Sequence, residues 1–370
     1  MTITSPVESA EQPIERGPAK TRTLSAEAPF VRNAWYVIAA RDEFDRTLKQ
    51  RWVLGEPLCF FEATDGQFVV LDDRCAHRRF PLSCSNLQDD DTIQCKYHGF
   101  TYGSDGRCVL VPGGGDPRGI GVRKYPAVQR GPFVWIWTGS DPDNADETLI
   151  PWPSDQLDQT EGQFATGYYY NKGNYCLVLE NLLDLTHLQF LHGIGGLGFT
   201  GAKLEVLKPD QMPSLFAETA VGFVKEWDDE LGQFAANSGD DPTVPIRRRT
   251  EARVLTPGFA CGSEAFVARD SSRPTRLQKV VVPQAITPAN AHETHQFWMY
   301  WQNVPLPMSA QEWSAVMATI FVDDEEAVER IQQYIDTDSR QGVLEHSTPH
   351  DVASLRIRRT LHRLAAAEQK

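Results

Sequence analysis

Cys75-Ala76-His77, seventeen further residues, and then Cys95-Lys96-Tyr97-His98-Gly99-Phe100 form the stretch on which the fold turns. Each half supplies one thiolate and one imidazole. Two Cys and two His can hold a tetrahedral zinc ion. They can equally hold a [2Fe–2S] cluster, with both thiolates on one iron and both imidazoles on the other. Exchanging two thiolates for neutral imidazoles removes negative charge and raises the reduction potential, which suits a centre fed by a ferredoxin. The Cys-x-His opening is tighter than the Cys pair that opens a zinc finger. One Cys and one His per loop is what a cluster gripped between two hairpin tips requires.

Working outward, short apolar runs flank this stretch: Leu58 to Phe61, Phe68 to Leu71 and Phe133 to Trp137. Asp65-Gly66, Asp105-Gly106 and Pro112 to Gly115 supply turns between such runs, the pattern of a small antiparallel β domain over residues 30–140. Residues 1–29 are rich in Ser, Thr, Pro, Ala and Glu and read as a mobile tail. Residues 141–160, rich in Asp, Pro and Asn, read as a linker, and 161–370 as a second domain mixing strands and helices. In that domain strands are expected at Lys279 to Val282 and Gln296 to Trp301, and a helix around Glu180 to His192. Ser309-Ala310-Gln311-Glu312 is a capping box before an apolar run that continues in pieces to Tyr334.

A second dense cluster is Asn181-Leu-Leu-Asp184-Leu-Thr-His187-Leu-Gln-Phe-Leu-His192. Two neutral imidazoles and a carboxylate on one face of a metal make the facial triad of Fe(II) oxygenases, leaving positions open for O2 beside substrate. The histidines are five apart, so a regular helix would splay them by about 140°. Convergence therefore needs a distorted turn or a helix that ends near His192, and Gly193 suits an ending. Gly193 to Gly198 matches G-x-G-x-x-G, but a dinucleotide site needs a strand before it and a helix after it. The segment reads instead as a loop at a site mouth, so electrons are expected from another protein.

The pattern Cys-x-His-x17-Cys-x2-His, with Arg78 and Tyr97-His98-Gly99, resembles the Rieske motif of aromatic-ring-hydroxylating oxygenases. Asn33-Ala34-Trp35-Tyr36 resembles their vanillate O-demethylase and dicamba monooxygenase-like branch. The resemblance covers the chain from Phe30 to its last helix. It implies an α+β protein, with an antiparallel β Rieske domain followed by a helix-grip catalytic domain built on a curved antiparallel sheet. It implies a [2Fe–2S] cluster on Cys75, His77, Cys95 and His98, and mononuclear iron on His187, His192 and a late Asp. Asp184 would then bridge to a cluster histidine, His98, of a neighbouring subunit in a homotrimer, and Asn181 would sit near the iron. Phe321, Asp324, Val328, Ile331 and Ile335 fall at steps of three and four, which places Asp324 on the apolar stripe as the third ligand and leaves Asp323 as the fallback. Thr294-His295-Gln296-Phe297-Trp298 is similar to a pocket-facing strand of that branch, which makes His295 a candidate substrate contact, with a core or edge-strand histidine as the equal alternative.

The family reading makes the chain the terminal oxygenase of a multicomponent system, served by a ferredoxin or an NAD(P)H-dependent reductase. It would hydroxylate a small aromatic substrate, by O- or N-dealkylation with aldehyde release. A ring cis-dihydroxylating dioxygenase shares every ligand, and a Rieske electron-transfer protein needs only the first constellation. The formal charge of −14, from 36 basic and 50 acidic residues, argues against nucleic acid. No run of about 18 apolar residues suggests a membrane span. Residues 1–29 lack the apolar core of a signal peptide. Seven scattered Cys beside His fit metal chemistry in a reducing cytoplasm better than disulfides.

Overall fold

A computed structural model describes residues 25, 27–154, 156, 157, 162–184, 186–192, 205–212, 216, 218–231, 241–270, 272, 277–338 and 345–369. Turn residues cut the first part into ten strands: β1 (Trp35–Ala40), β2 (Lys49–Val53), β3 (Glu56–Glu62), β4 (Phe68–Asp72), β5 (Asn86–Leu87), β6 (Ile93–Gln94), β7 (Thr101–Tyr102), β8 (Cys108–Leu110), β9 (Ala127–Arg130) and β10 (Phe133–Trp137). They form three antiparallel sheets, ordered β1-β10-β9, β2-β3-β4 and β5-β6-β7-β8.

The described residues of the second part build one seven-stranded antiparallel sheet, ordered β11-β17-β16-β15-β14-β13-β12. Its strands are β11 (Gln163–Asn171), β12 (Glu205–Val206), β13 (Val221–Glu230), β14 (Pro245–Thr256), β15 (Phe259–Ala268), β16 (Gln278–Asn290) and β17 (Glu293–Gln302). Three helices accompany it among the described residues: α1 (Tyr175–Leu182), α2 (Ala310–Thr337) and α3 (Val352–Ala367).

Alternation along β17 decides what each sheet face does. Phe297, Met299 and Trp301 join a core with Trp35, Val37, Phe133 and Trp135 of the first part. Trp298 and Tyr300 turn the other way and pack with Met317 and Phe321 of α2. Backbone bonds tie the same seam: Leu54 N donates to Pro288 O at 2.7 Å and Gly55 N to Ala289 O at 2.9 Å.

α2 is a single helix, and its Ser309/Glu312 capping box is formed. Met317, Phe321 and Val328 are its buried apolar positions, while Ile331 is half exposed and leaves the expected stripe. α3 clamps α1 through Arg358, whose Nε and Nη2 donate to the two oxygens of Glu180 at 2.5 and 2.6 Å. That anchors the turn immediately before Asn181.

Two expected boundaries need correction. Ala28 is buried, and its N–H donates to Asn174 Oδ1 at 3.2 Å, so the packed chain begins ahead of residue 30. Asp141 and Asp146 each cap a short 3-10 turn, and Leu149, Ile150 and Trp152 enter the shared core, so this part of the expected linker is packed. The composition announced turns, and the turns turned out to be capped and seated on aromatic rings.

Candidate metal centres and cavity

The four candidate ligands of the first constellation sit on two loops with the same backbone design. In one, Cys75 N donates to Phe80 O and Arg79 N to Cys75 O, at 2.9 and 2.8 Å. In the other, Cys95 N donates to Phe100 O and Gly99 N to Cys95 O, both at 2.8 Å. The fifth residue of each loop is left-handed, Arg79 at φ 58° and Gly99 at φ 78°. Glycine meets that demand without strain, whereas Arg79 holds it against its own Cβ. Both thiols are buried, and both imidazoles are exposed with ring centroids 4.7 Å apart. Tyr102 Oη lies 3.1 Å from Cys75 Sγ and accepts the Ala76 N–H at 3.0 Å.

The two thiols thus lie on the buried side and the two imidazoles together on the exposed side. That segregation fits a two-iron group with both thiolates on one iron and both imidazoles on the other.

The expected helix through His192 is instead broken. α1 ends at Leu182, where Leu183 N bonds back to Leu179 O and Glu180 O. Asp184 Oδ1 then accepts the N–H and hydroxyl of Thr186 at 2.7 and 2.6 Å. This turn redirects the chain into a short 3-10 segment, His187–Gln189, and Leu191 N closes on His187 O at 2.7 Å. The break removes the helical splay between the histidines. Their ring centroids lie 5.4 Å apart at 71°.

α2 supplies the carboxylate. Asp324 Oδ1 lies 3.3 Å from His187 Nε2 and 3.2 Å from His192 Nε2. Three donors on one face of an ion, each about 2.1 Å from it, would stand roughly 3 Å apart. Asp324 Oδ1 and His192 Nε2 are both buried and lack an aligned hydrogen bond despite this approach. Convergent lone pairs in a buried site need a cation between them, and this is the observation that makes the trio fit iron. Burial opposes ionisation of Asp324, but the facing His187 and Asn181 side chains and the nearby His192 imidazole outweigh it and hold the carboxyl below the usual range.

Asp323 stands apart from that trio. Its Oδ2 lies 3.2 Å from His192 Nδ1, on the opposite side of the ring. A proton on Nδ1 donated to Asp323 leaves the Nε2 lone pair directed at the centre. Asn181 and Asp184 both line the cavity beside the trio. The side-chain hydrogen bonds of Asp184 among the described residues are with Thr186, and His187 Nδ1 is buried without a hydrogen-bond partner.

The cavity has a volume of about 560 Å³. Val280, Val282, Met317, Ile320 and Phe321 form apolar wall, with Tyr300 and Trp313 meeting edge to face at 5.4 Å. Polar wall on the sheet side comes from Arg248, Thr250, Glu251, Ser263, Glu264 and Gln284. Sequence reading missed these six. Their signal was the period-two register of β14 and β15, where Thr250 pairs with Glu264.

His295 is not part of this wall. It lies on the β17 face that meets the first domain, with Nδ1 2.9 Å from Tyr168 Oη and Nε2 2.9 Å from Trp52 O. Burial, then the charge of Arg51, push its pKa down to about 4. It is a satisfied histidine of the domain seam, and the expected substrate contact is withdrawn. The glycine-rich motif from Gly193 to Gly198 lies outside the described residues.

Comparison with known proteins agrees with this architecture. Residues 172–367 match the vanillate O-demethylase oxygenase C-terminal domain, and residues 34–126 match the Rieske [2Fe-2S] domain. A putative toluene-4-sulfonate monooxygenase system iron-sulfur subunit of Comamonas testosteroni is 38% identical over 169 residues, 44% of this chain and 46% of that protein. The dicamba O-demethylase oxygenase component of Stenotrophomonas maltophilia is 39% identical over 44% of this chain and 48% of its own length. The chain thus spans about half the length of these relatives. The oxygenase component of chloroacetanilide N-alkylformylase from Rhizorhabdus wittichii is 29% identical over 92% of this chain and 97% of its own. Dicamba monooxygenase bound to 3,6-dichlorosalicylic acid superposes with a TM-score of 0.79 at 26% identity, covering 92% of this chain and 99% of that one. A structure of that enzyme holding non-haem iron and dicamba gives a TM-score of 0.75 at 25% identity, with the same coverage of each chain.

Proposed function

Because the chain belongs to the vanillate O-demethylase oxygenase family and carries a Rieske domain, we propose that it is the terminal oxygenase of a multicomponent dealkylating monooxygenase. Its cofactors are a Rieske [2Fe–2S] cluster and mononuclear non-haem iron. The reading takes Cys75 and Cys95 as thiolate ligands and His77 and His98 as imidazole ligands of the cluster. It takes His187, His192 and Asp324 as the iron ligands. The convergence of two imidazole nitrogens on Asp324 Oδ1 carries it.

Together the two metal groups supply single electrons and O2 activation. The protein's residues do the rest. Asp323 holds the His192 ring in one tautomer. The apolar wall excludes water and seats the aromatic ring, with the alkyl group toward the His187, His192 and Asp324 trio. One oxygen atom of O2 enters a C–H bond beside O or N, and the other leaves as water with two electrons and two protons consumed. The hemiacetal or hemiaminal collapses to an aldehyde and a free hydroxyl or amine.

Asp184 is assigned the contact between His187 and a cluster histidine of a neighbouring copy, in a homotrimer. Its second carboxylate oxygen is not used by Thr186, and His77 and His98 are exposed, which supports that role. Electrons would come from a ferredoxin or an NAD(P)H-dependent reductase. No helix among the described residues is long and apolar enough to cross a membrane, and the reading places the protein in the cytoplasm.

The test is turnover with a surrogate ferredoxin and reductase on methoxy-arenes, N-alkyl anilides and plain aromatic acids. Aldehyde formed in step with O2 uptake is expected. A diol without aldehyde would move the protein to ring dihydroxylation.

A further inference from the structure

Arg248 is the one Lys or Arg among the described cavity-lining residues, and its charge is already matched. Its side chain is 4% exposed. Nε and Nη2 donate to Glu264 Oε1 at 3.1 and 2.6 Å, and Thr250 Oγ1 donates to the same oxygen at 2.9 Å. Asp229 Oδ2 stands 3.8 Å from Nη1 on the other side. The guanidinium also lies over the rings of Trp227 and Phe266, at 5.2 and 5.4 Å. A carboxylate or sulfonate entering here would bring a third anion to a cation already flanked by two. Taking a charge out of water without a partner is expensive, so this wall disfavours an anion.

Gln284 shows what the wall offers instead. Asn171 Nδ2 donates to Gln296 Oε1 at 2.7 Å, and Gln296 Nε2 donates to Gln284 Oε1 at 2.6 Å. This buried relay fixes the Gln284 amide by its oxygen. Its NH2 group is left as a donor on a residue that lines the cavity. Trp313 adds an indole N–H that is buried without a hydrogen-bond partner, on another lining residue. Two neutral donors beside a neutralised arginine suit an uncharged acceptor such as an amide carbonyl.

We infer that the substrate is an uncharged N- or O-alkyl aromatic compound with a carbonyl-type acceptor held by Gln284, and that the Arg248–Glu264 pair excludes aromatic acids. This rests on the dealkylation reading of the same cavity.

The experiment is anaerobic calorimetric binding to the holoprotein of two near-isosteric probes, 4-methoxybenzamide and 4-methoxybenzoate. The wild type binds the benzamide tighter by about tenfold or more. Glu264→Gln keeps the bond geometry but unmasks Arg248, and shifts the affinity ratio toward benzoate by about tenfold. Gln284→Leu weakens the benzamide by about fivefold while benzoate changes less. Cluster absorbance confirms that each variant is folded. Benzoate bound as tightly as benzamide, an unchanged ratio in Glu264→Gln, or no binding of either probe overturns the inference. Benzamide bound without aldehyde release in the reconstituted assay sinks dealkylation and leaves the inference standing. Aldehyde released from benzoate bound as tightly does the reverse.

Discussion

Asp323 Oδ2 lies 3.2 Å from His192 Nδ1, while the neighbouring Asp324 faces Nε2 of the same ring at 3.2 Å. Adjacent carboxylates on α2 thus address opposite nitrogens of one imidazole. Their loss should have different consequences. Asp324→Ala is expected to abolish iron binding. Asp323→Ala is expected to keep the site but weaken iron affinity by about tenfold to a hundredfold. Iron titration against a chelator, with cluster absorbance as internal standard, checks both. Equal loss in the two variants would contradict the division of labour.

Asp184→Asn should retain both metal groups and stop turnover, since the carboxylate is assigned the inter-subunit contact rather than a ligand position. Iron content, cluster spectrum and aldehyde yield are the readouts. Undiminished turnover would remove the bridge assignment.

The Glu180–Arg358 pair should matter to stability through burial. Arg358 is 5% exposed and also bonds Glu345 at 2.7 Å. Arg358→Met alone leaves Glu180 buried and unmatched, and is expected to cost about 3–5 kcal/mol. Glu180→Leu with Arg358→Met should recover much of that. Thermal denaturation of the two variants decides it.

Stability should fall on acidification through His295. Its folded pKa of about 4 is below the ordinary 6.5, so the unfolded chain binds more protons between those values. Stability from this group is intact above about pH 6.5 and is lost progressively toward pH 4, about 2 kcal/mol by pH 5. Below that window both states carry the proton. His295→Gln should flatten this part of the profile; an unchanged slope would refute the assignment.

The proposed ligand residues stand out in the sequence because chemistry constrains their types and spacing, as at Cys75, His77, Cys95 and His98. Asp324 was legible from helical register, since Phe321 and Val328 bury the same side of α2. Ile331 was not, because an apolar residue can sit exposed at little cost. The break after Leu182 was foreseeable only as a requirement: spacing showed that a helix could not serve, and the Asp184–Thr186 turn showed how it is avoided. His295 misled because alternation along a strand does not say which face meets the cavity and which the neighbouring domain. The Arg248–Glu264 pair joins residues on adjacent strands, a contact that exists only once the register of β14 and β15 is set.

The most direct test is a single turnover without any redox partner. Chemically reduced holoprotein, freed of reductant, is mixed with O2 and a tightly binding methoxy-arene or N-alkyl anilide. Aldehyde formed in proportion to occupied mononuclear iron, as the cluster reoxidises, is the predicted result. Cluster reoxidation with no aldehyde, or with a cis-diol, would contradict the assignment of this chain as a dealkylating oxygenase.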